Sequence, residues 1–263
     1  MFKNYLNSIK LTNKKVYILG GCGLIGSKVV KNILSVGGQV IILDIKKKEI
    51  SKNVKYEKFD CSKLKTLDKN FNKILKKFGC PDIFINCSYP KTSDWNQCSF
   101  NKITLQRMTK NVEIHMNSYA WLAKMVADKM VKNKIKGSII SLNSIYGLLG
   151  QDLNIYEKTS MTENMPYTMI KGGLINLTRQ MASYYGRFGV RVNNICSGGL
   201  TGHIAGQSNK QEKQFIRHYE KKVPLKRLGT SEEVANVVTF VASDAASYIT
   251  GSNILVDGGW TII

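Results

Sequence analysis

Tyr167 and Lys171 stand four residues apart in Tyr167-Thr168-Met169-Ile170-Lys171, a spacing that brings a phenol and an ammonium to one face of a helix. A free tyrosine, with a pKa of about 10, is a poor base at neutral pH, whereas a neighbouring cation favours the phenolate and makes proton transfer practicable. The pattern alone is common on helix surfaces. It gains weight from Gly20-Gly21-Cys22-Gly23-Leu24-Ile25-Gly26, set between an apolar run and a helix-length segment. In such a loop Gly20 serves the sharp turn, Gly23 the close approach of backbone to a pyrophosphate, and Gly26 the packing of helix on strand. The amides of Leu24 and Ile25 open the helix toward the phosphates. The second apolar run ends in Asp44, an acid about 20 residues on, which suits ribose hydroxyls and repels a 2′-phosphate. That favours NAD. Lys46-Lys47-Lys48 just beyond would offset the repulsion and leaves NADP open.

The elements that must position these groups follow from hydrophobic periodicity. Strands are predicted at Val16–Leu19, Val40–Leu43, Val54–Lys58, Ile83–Asn86, Ser138–Leu142, Arg191–Cys196 and Ile254–Val256, several nearly all apolar, as parallel strands covered on both faces require. Helices are predicted at Leu24–Val36, Lys63–Phe78, Leu105–Asn133, Thr168–Tyr185 and Ser231–Ser243. The alternation predicts one α/β domain over residues 1–263, a doubly wound, mostly parallel seven-stranded Rossmann sheet. Two polar stretches, Tyr89–Thr104 and Gly147–Pro166, read as long loops bordering a ligand crevice at the carboxyl ends of the strands.

Composition narrows the setting. The chain has 263 residues, 43% of them hydrophobic, enough for one large core. Its six cysteines are scattered without metal-ligand spacing and predict reduced thiols and no metal site. No signal-peptide pattern and no membrane-length apolar run occurs, which predicts a cytoplasmic protein that does not engage a membrane. The formal charge of +21 invites a polyanion partner, but the lysines are spread along the chain without a nucleic-acid-binding motif. A solvated basic surface is therefore expected, with no specific nucleic acid as partner.

Gly20 to Gly26, Asp60, Asn86, Ser144, Tyr167, Lys171, Asn193 and Val256-Asp257-Gly258-Gly259 follow one another as in the short-chain dehydrogenases/reductases, and the chain resembles that family over nearly its whole length. The resemblance implies Tyr167 as general acid/base, Lys171 on the nicotinamide ribose and lowering the tyrosine pKa, and Ser144 on the reacting oxygen. It implies Asp60 and Cys61 near the adenine, Asn86, Cys87 and Ser88 beside the cofactor, and Ser197, Gly198 and Thr201 on its nicotinamide side. It also implies a homodimer or homotetramer built through the long helices. The sequence departs from the family at several points. The glycines are spaced as in extended members, Asn-Asn-Ala-Gly is replaced by Asn86-Cys87-Ser88-Tyr89, and Ser197-Gly198 stands for Pro-Gly. His115 occupies the place of the catalytic Asn, where it either binds the water of a proton relay or is a packed helix residue. Gln151–Met165 reads as an insertion at the substrate mouth, and Asp152, Glu157, Thr159, Ser160 and Thr162 in it suit a polyhydroxylated ligand.

Asn86-Cys-Ser-Tyr-Pro90, Ser144-Ile-Tyr-Gly147, Ile155-Tyr-Glu157, Pro166 to Gly173 and Asp257-Gly-Gly-Trp260 are similar to the oxidoreductases of flagellin modification and surface-sugar biosynthesis. That narrower resemblance implies hydride transfer between NAD and a secondary alcohol or ketone of a small-molecule carbohydrate, a sugar phosphate or nucleotide sugar. In the basic segment Lys210 to Lys222, Lys213, Arg217, Lys221 and Lys222 are either phosphate contacts or solvent-facing lysines. Rival readings are a 3-oxoacyl or small-ketone reductase of the same family, and a catalytically silent cofactor-binding regulator.

Overall fold

The apolar runs form seven strands: β1 (Lys15–Leu19), β2 (Gln39–Asp44), β3 (Lys55–Lys58), β4 (Ile83–Asn86), β5 (Ser138–Ser144), β6 (Arg191–Ser197) and β7 (Asn253–Val256). The computed structural model describes residues 4–202 and 211–263. The strands lie in the order β3-β2-β1-β4-β5-β6-β7, and every pairing is parallel. The helices are α1 (Tyr5–Ile9), α2 (Leu24–Ser35), α3 (Leu67–Phe78), α4 (Leu105–Asn111), α5 (Ser118–Lys132), α6 (Met165–Gly186), α7 (Lys213–Lys222) and α8 (Ser231–Ala242).

Successive side chains on a strand point to opposite faces, so the nearly all-apolar strands feed two cores. Tyr17, Leu19, Ile41, Leu43 and Phe84 pack with Phe71 of α3, Val126 of α5 and Met181 of α6. Val16, Ile18, Val40, Ile42 and Ile85 pack on the other face with Val30 and Ile33 of α2 and Val238 of α8. Each such side chain contributes about 1.5–3 kcal/mol by leaving water, so a charge at Ile85 would unseat the sheet. Strand order reverses between β1 and β4, which opens a crevice at their carboxyl ends. The register sets the site residues along that edge: Leu19 is level with Asn86, and Ser144 with Ser197.

Most elements lie within one or two residues of their predicted bounds, and three depart further, each for a local reason. The segment 105–133 is two α-helices separated by a π-helical turn, Val112–Asn117, which turns Ile114 and His115 inward. Such bulges re-aim side chains at the cost of regular hydrogen bonding. The helix predicted from Thr168 starts at Met165, because the Asn164 side chain accepts a hydrogen bond from the Tyr167 amide at 3.1 Å. Pro166 fits that first turn, where its missing N–H is not needed. The segment from Lys63 opens with a 3-10 turn, Leu64–Thr66, before α3. The short α1, capped by Asn4, buries no side chain and leaves no periodic signal to read. Of the basic segment, Lys210 lies outside the described residues, as does the middle of the Leu200–Gln214 loop.

Candidate active site

One crevice of about 1480 Å³ runs along the carboxyl edge of the sheet. Gly20, Gly23, Leu24, Ile25, Asp44, Asp60, Cys61, Cys87, Ser88, Ser144, Tyr167, Lys171, Ser197 and Gly198 all line it. Asn86, buried beneath, accepts from the Ser88 amide and hydroxyl at 3.1 and 2.7 Å and so shapes the wall from behind. Gly26 is buried under the turn. Thr201 is the exception: it is exposed and donates its amide to the Gly229 carbonyl at 2.8 Å, outside the crevice lining.

The glycine turn is built for an anionic ligand. Gly20 takes φ +74°, and a Cβ on Gly26 would fall 2.1 Å from the Gly20 carbonyl oxygen, so a larger residue at either place would disrupt the turn. The cap residue Gly23 offers no side chain, which leaves the first amides of α2 bare toward the crevice. Asp44 holds the loop to β2: its carboxylate accepts from the Cys22 amide at 2.9 Å and the Lys46 amide at 3.2 Å. It retains further acceptor capacity toward the crevice. These residues fit a dinucleotide.

Farther along, α6 sets Tyr167 and Lys171 one turn apart, and β5 meets them with Ser144. The Asn143 side chain donates to the Lys171 carbonyl at 3.2 Å and accepts from the Ser144 amide at 2.9 Å, locking the strand end to the helix. Gly147 permits the close approach, since a Cβ there would sit 2.8 Å from the Lys171 carbonyl. The Lys171 ammonium is buried, donates to the Leu142 carbonyl at 3.0 Å, and faces the rings of Tyr119, Tyr167 and Tyr89 at 5.3, 5.7 and 6.0 Å.

These surroundings reverse one expectation. Desolvation pushes the Tyr167 phenol up to about 12, and the Ser144 hydroxyl draws it back only in part. The Lys171 ammonium, 5.7 Å from the ring centre and bonded to a backbone oxygen, does not offset that desolvation. Desolvation takes Lys171 itself down to about 8. His115 is fully buried off the crevice, edge-on to Tyr89 at 5.3 Å and tilted against Tyr119 at 5.2 Å, and neither ring nitrogen has a hydrogen-bond partner among the described residues. Burial, with the Lys171 charge nearby, holds its pKa well below the usual range, so the imidazole is neutral.

Both long loops border the crevice, as their polar composition predicted, and the first of them, with the turn Ile145–Gly147 after β5, brings an aromatic wall that the sequence reading missed. Tyr89, Trp95 and Tyr146 surround the Tyr167 ring at 6.1, 6.3 and 6.5 Å. The only signal was their place, Tyr89 directly after Asn86-Cys87-Ser88 and Trp95 within a polar stretch. In the Gln151–Met165 segment, Ser160 and Thr162 line the crevice, while Glu157 and Thr159 do not. Asp152 is taken by Lys222 at 2.5 Å. That pairing accounts for Lys222, whereas Lys213, Arg217 and Lys221 are exposed on α7 and line nothing. No helix among the described residues is long and apolar enough to cross a membrane.

A parallel sheet with this order, a glycine turn at its switch point and a Ser-Tyr-Lys set on the neighbouring strand and helix define a nucleotide-binding oxidoreductase. Residues 24–261 match the family described as enoyl-(acyl carrier protein) reductase, and the chain belongs to the short-chain dehydrogenases/reductases. It is similar to the post-translational flagellin modification protein A of Campylobacter coli, 28% identical over 95% of this chain and 99% of that one. Glucose 1-dehydrogenase 2 of Bacillus subtilis is 28% identical over 84% of this chain and 79% of its own. A short-chain dehydrogenase of Leptospira borgpetersenii, solved with bound NAD+, is 30% identical, superposes with a TM-score of 0.84 and covers 99% of this chain and 97% of that one.

Proposed function

We propose that the protein is an NAD-dependent oxidoreductase that interconverts a secondary alcohol and a ketone on a carbohydrate intermediate of surface-glycan or flagellin-sugar biosynthesis. The observation that carries this reading is the wall of Tyr89, Trp95 and Tyr146 around the Tyr167 phenol, set beside the side-chain amides of Asn96 and Gln97, while those of Gln151 and Asn164 brace it through bonds to Tyr156 and to the backbone of Trp95 and Tyr167. A sugar ring offers C–H faces to such rings and hydroxyls to such amides, the mixture of apolar area and few placed polar groups that fixes a small ligand. The relatives named for flagellin modification and for glucose oxidation support it.

When bound, the dinucleotide supplies or accepts the hydride. The α2 amides of Leu24 and Ile25 would hold its phosphates, Asp44 its adenosine ribose, Asp60 and Cys61 the adenine end, and Lys171, Ser197 and Gly198 the nicotinamide end. Asp44 favours NAD over NADP, because its carboxylate would repel a 2′-phosphate. In reduction Tyr167 gives its proton to the oxygen as alkoxide character develops, and the Ser144 hydroxyl donates a hydrogen bond to the same oxygen. In oxidation the phenolate recovers that proton. His115 is a positioning residue: it packs Tyr89 and Tyr119 around the Lys171 ammonium and does not reach the substrate. The working unit is a homodimer or homotetramer.

The test is a cofactor-turnover screen that sets sugar phosphates, nucleotide sugars and free sugars against 3-oxoacyl thioesters and small ketones. The proposal expects turnover confined to the carbohydrates. Preference for acyl ketones would move the protein to the fatty-ketone reductases, and cofactor binding with no turnover of any alcohol or ketone would leave a silent binding protein.

A further inference from the structure

The substrate end of the crevice holds a cation that no acid among the described residues pairs with. Lys91 lines it, on the loop that also carries Tyr89 and Trp95. Among the described residues no carboxylate pairs with Lys91. Two acids near the same mouth are ion-paired elsewhere, Asp94 with the Arg107 guanidinium at 2.8 Å and Asp152 with Lys222 at 2.5 Å. Glu163, which also lines the crevice, accepts from the Phe100 amide at 3.0 Å and forms no ion pair with Lys91.

Lys91 is also held in place. On one side the buried Tyr119 hydroxyl donates to the Ser88 carbonyl at 2.5 Å. On the other, the fully buried Asn111 accepts from the Thr92 amide at 3.0 Å and the Thr92 hydroxyl at 3.1 Å, and its own amide donates to the Arg107 carbonyl at 3.0 Å. Pro90, with its fixed φ, stiffens the link between the two anchors. The backbone of Lys91 is thus pinned next to the aromatic wall, and the chain immobilises two buried polar side chains to do it. Partial burial lowers the lysine's pKa, as expected for an ammonium that has lost hydration without gaining a counter-charge. Such a group costs free energy until an anion completes it. Lys102, at the rim, is exposed and adds only a screened attraction.

We infer that Lys91 is the anchor for a carboxylate or phosphate carried by the substrate, so that the crevice takes an acidic or phosphorylated carbohydrate in preference to a neutral one. The inference rests on the carbohydrate reading above, and its test separates the two. Binding of glucose 6-phosphate, glucuronate, acetoacetate and glucose to the NADH-loaded full-length protein is measured by calorimetry for the wild type, Lys91→Gln and Lys91→Arg. The expected result is that at least one anionic sugar binds more tightly than glucose. Lys91→Gln should weaken it by about tenfold or more, Lys91→Arg should restore most of that loss, and glucose and NADH should be unaffected. The phosphate and carboxylate arms show which anion is taken. Equal affinities of wild type and Lys91→Gln for the anionic sugars would overturn the anchor while leaving the carbohydrate reading intact. Weakening of acetoacetate alone, with no sugar bound, would keep the anchor and remove the carbohydrate. A loss confined to NADH, or no anion bound by the wild type, would overturn the inference.

Discussion

The Lys171 ammonium lies 5.7 Å from the centre of the Tyr167 ring and spends a hydrogen bond on the Leu142 carbonyl at 3.0 Å, and both side chains are withdrawn from water. Desolvation therefore keeps Tyr167 of the free protein as a protonated phenol far into the alkaline range, with its pKa at about 12. Ultraviolet difference titration of the cofactor-free wild type against Tyr167→Phe is expected to show no ionisation of this phenol below a free tyrosine's pKa of about 10. An ionisation near neutrality would show that the lysine charge, not desolvation, governs the group.

Burial of Lys171 links its protonation to stability. Its folded pKa of about 8 lies below the ordinary 10.5, so between those values the unfolded chain holds a proton that the folded chain does not. Stability from this group therefore rises with pH across that window. Unfolding free energies of the wild type and Lys171→Met, from denaturant titrations, should differ by an amount that changes in the wild type's favour by roughly 3 kcal/mol from neutral pH to the top of the window. A constant difference would contradict the burial of the charge.

The turn before α2 depends on glycine at 26, where an added Cβ would meet the Gly20 carbonyl oxygen at 2.1 Å. Gly26→Ala must shift that turn and tilt the amides of Leu24 and Ile25. NADH affinity, followed by fluorescence titration, is expected to fall about tenfold or more. Unchanged affinity would remove the loop from the cofactor site.

At the start of α8 a capping box joins Thr230 and Glu233: each side chain takes a hydrogen bond from the other's amide, and Arg227 clasps the Glu233 carboxylate. Thr230→Ala should cost about 1 kcal/mol in denaturant unfolding. Arg227 and the Thr230 amide hold the Glu233 pKa at about 2, below the ordinary 4.5. Its contribution is thus complete above 4.5 and lost as pH falls toward 2, and Glu233→Gln should be less acid-sensitive than the wild type.

The strands and the glycine turn were legible because their signals are local: apolar runs such as Val40–Leu43 and a glycine cluster between strand and helix need no tertiary context. Tyr167, Lys171 and Ser144 were legible through order along the chain. The interruption at Val112–Asn117 was not, because a π-helical turn keeps the composition of the helix it breaks. Nor was the aromatic wall, since Tyr89 and Trp95 come from the loop after β4 and Tyr146 from the turn after β5, and they meet only when β4, β5 and α6 are assembled. The rise in the tyrosine's pKa was not legible for the same reason: spacing places the lysine one turn away, but only packing buries the phenol and commits the ammonium to a carbonyl.

The most direct test removes one oxygen atom. Turnover and NADH affinity of Tyr167→Phe are compared with the wild type on whichever carbohydrate the screen identifies. Loss of the group that gives its proton to the reacting oxygen should lower turnover by about 10²–10⁴-fold while NADH binds as before. Near-normal turnover with intact cofactor binding would contradict the account.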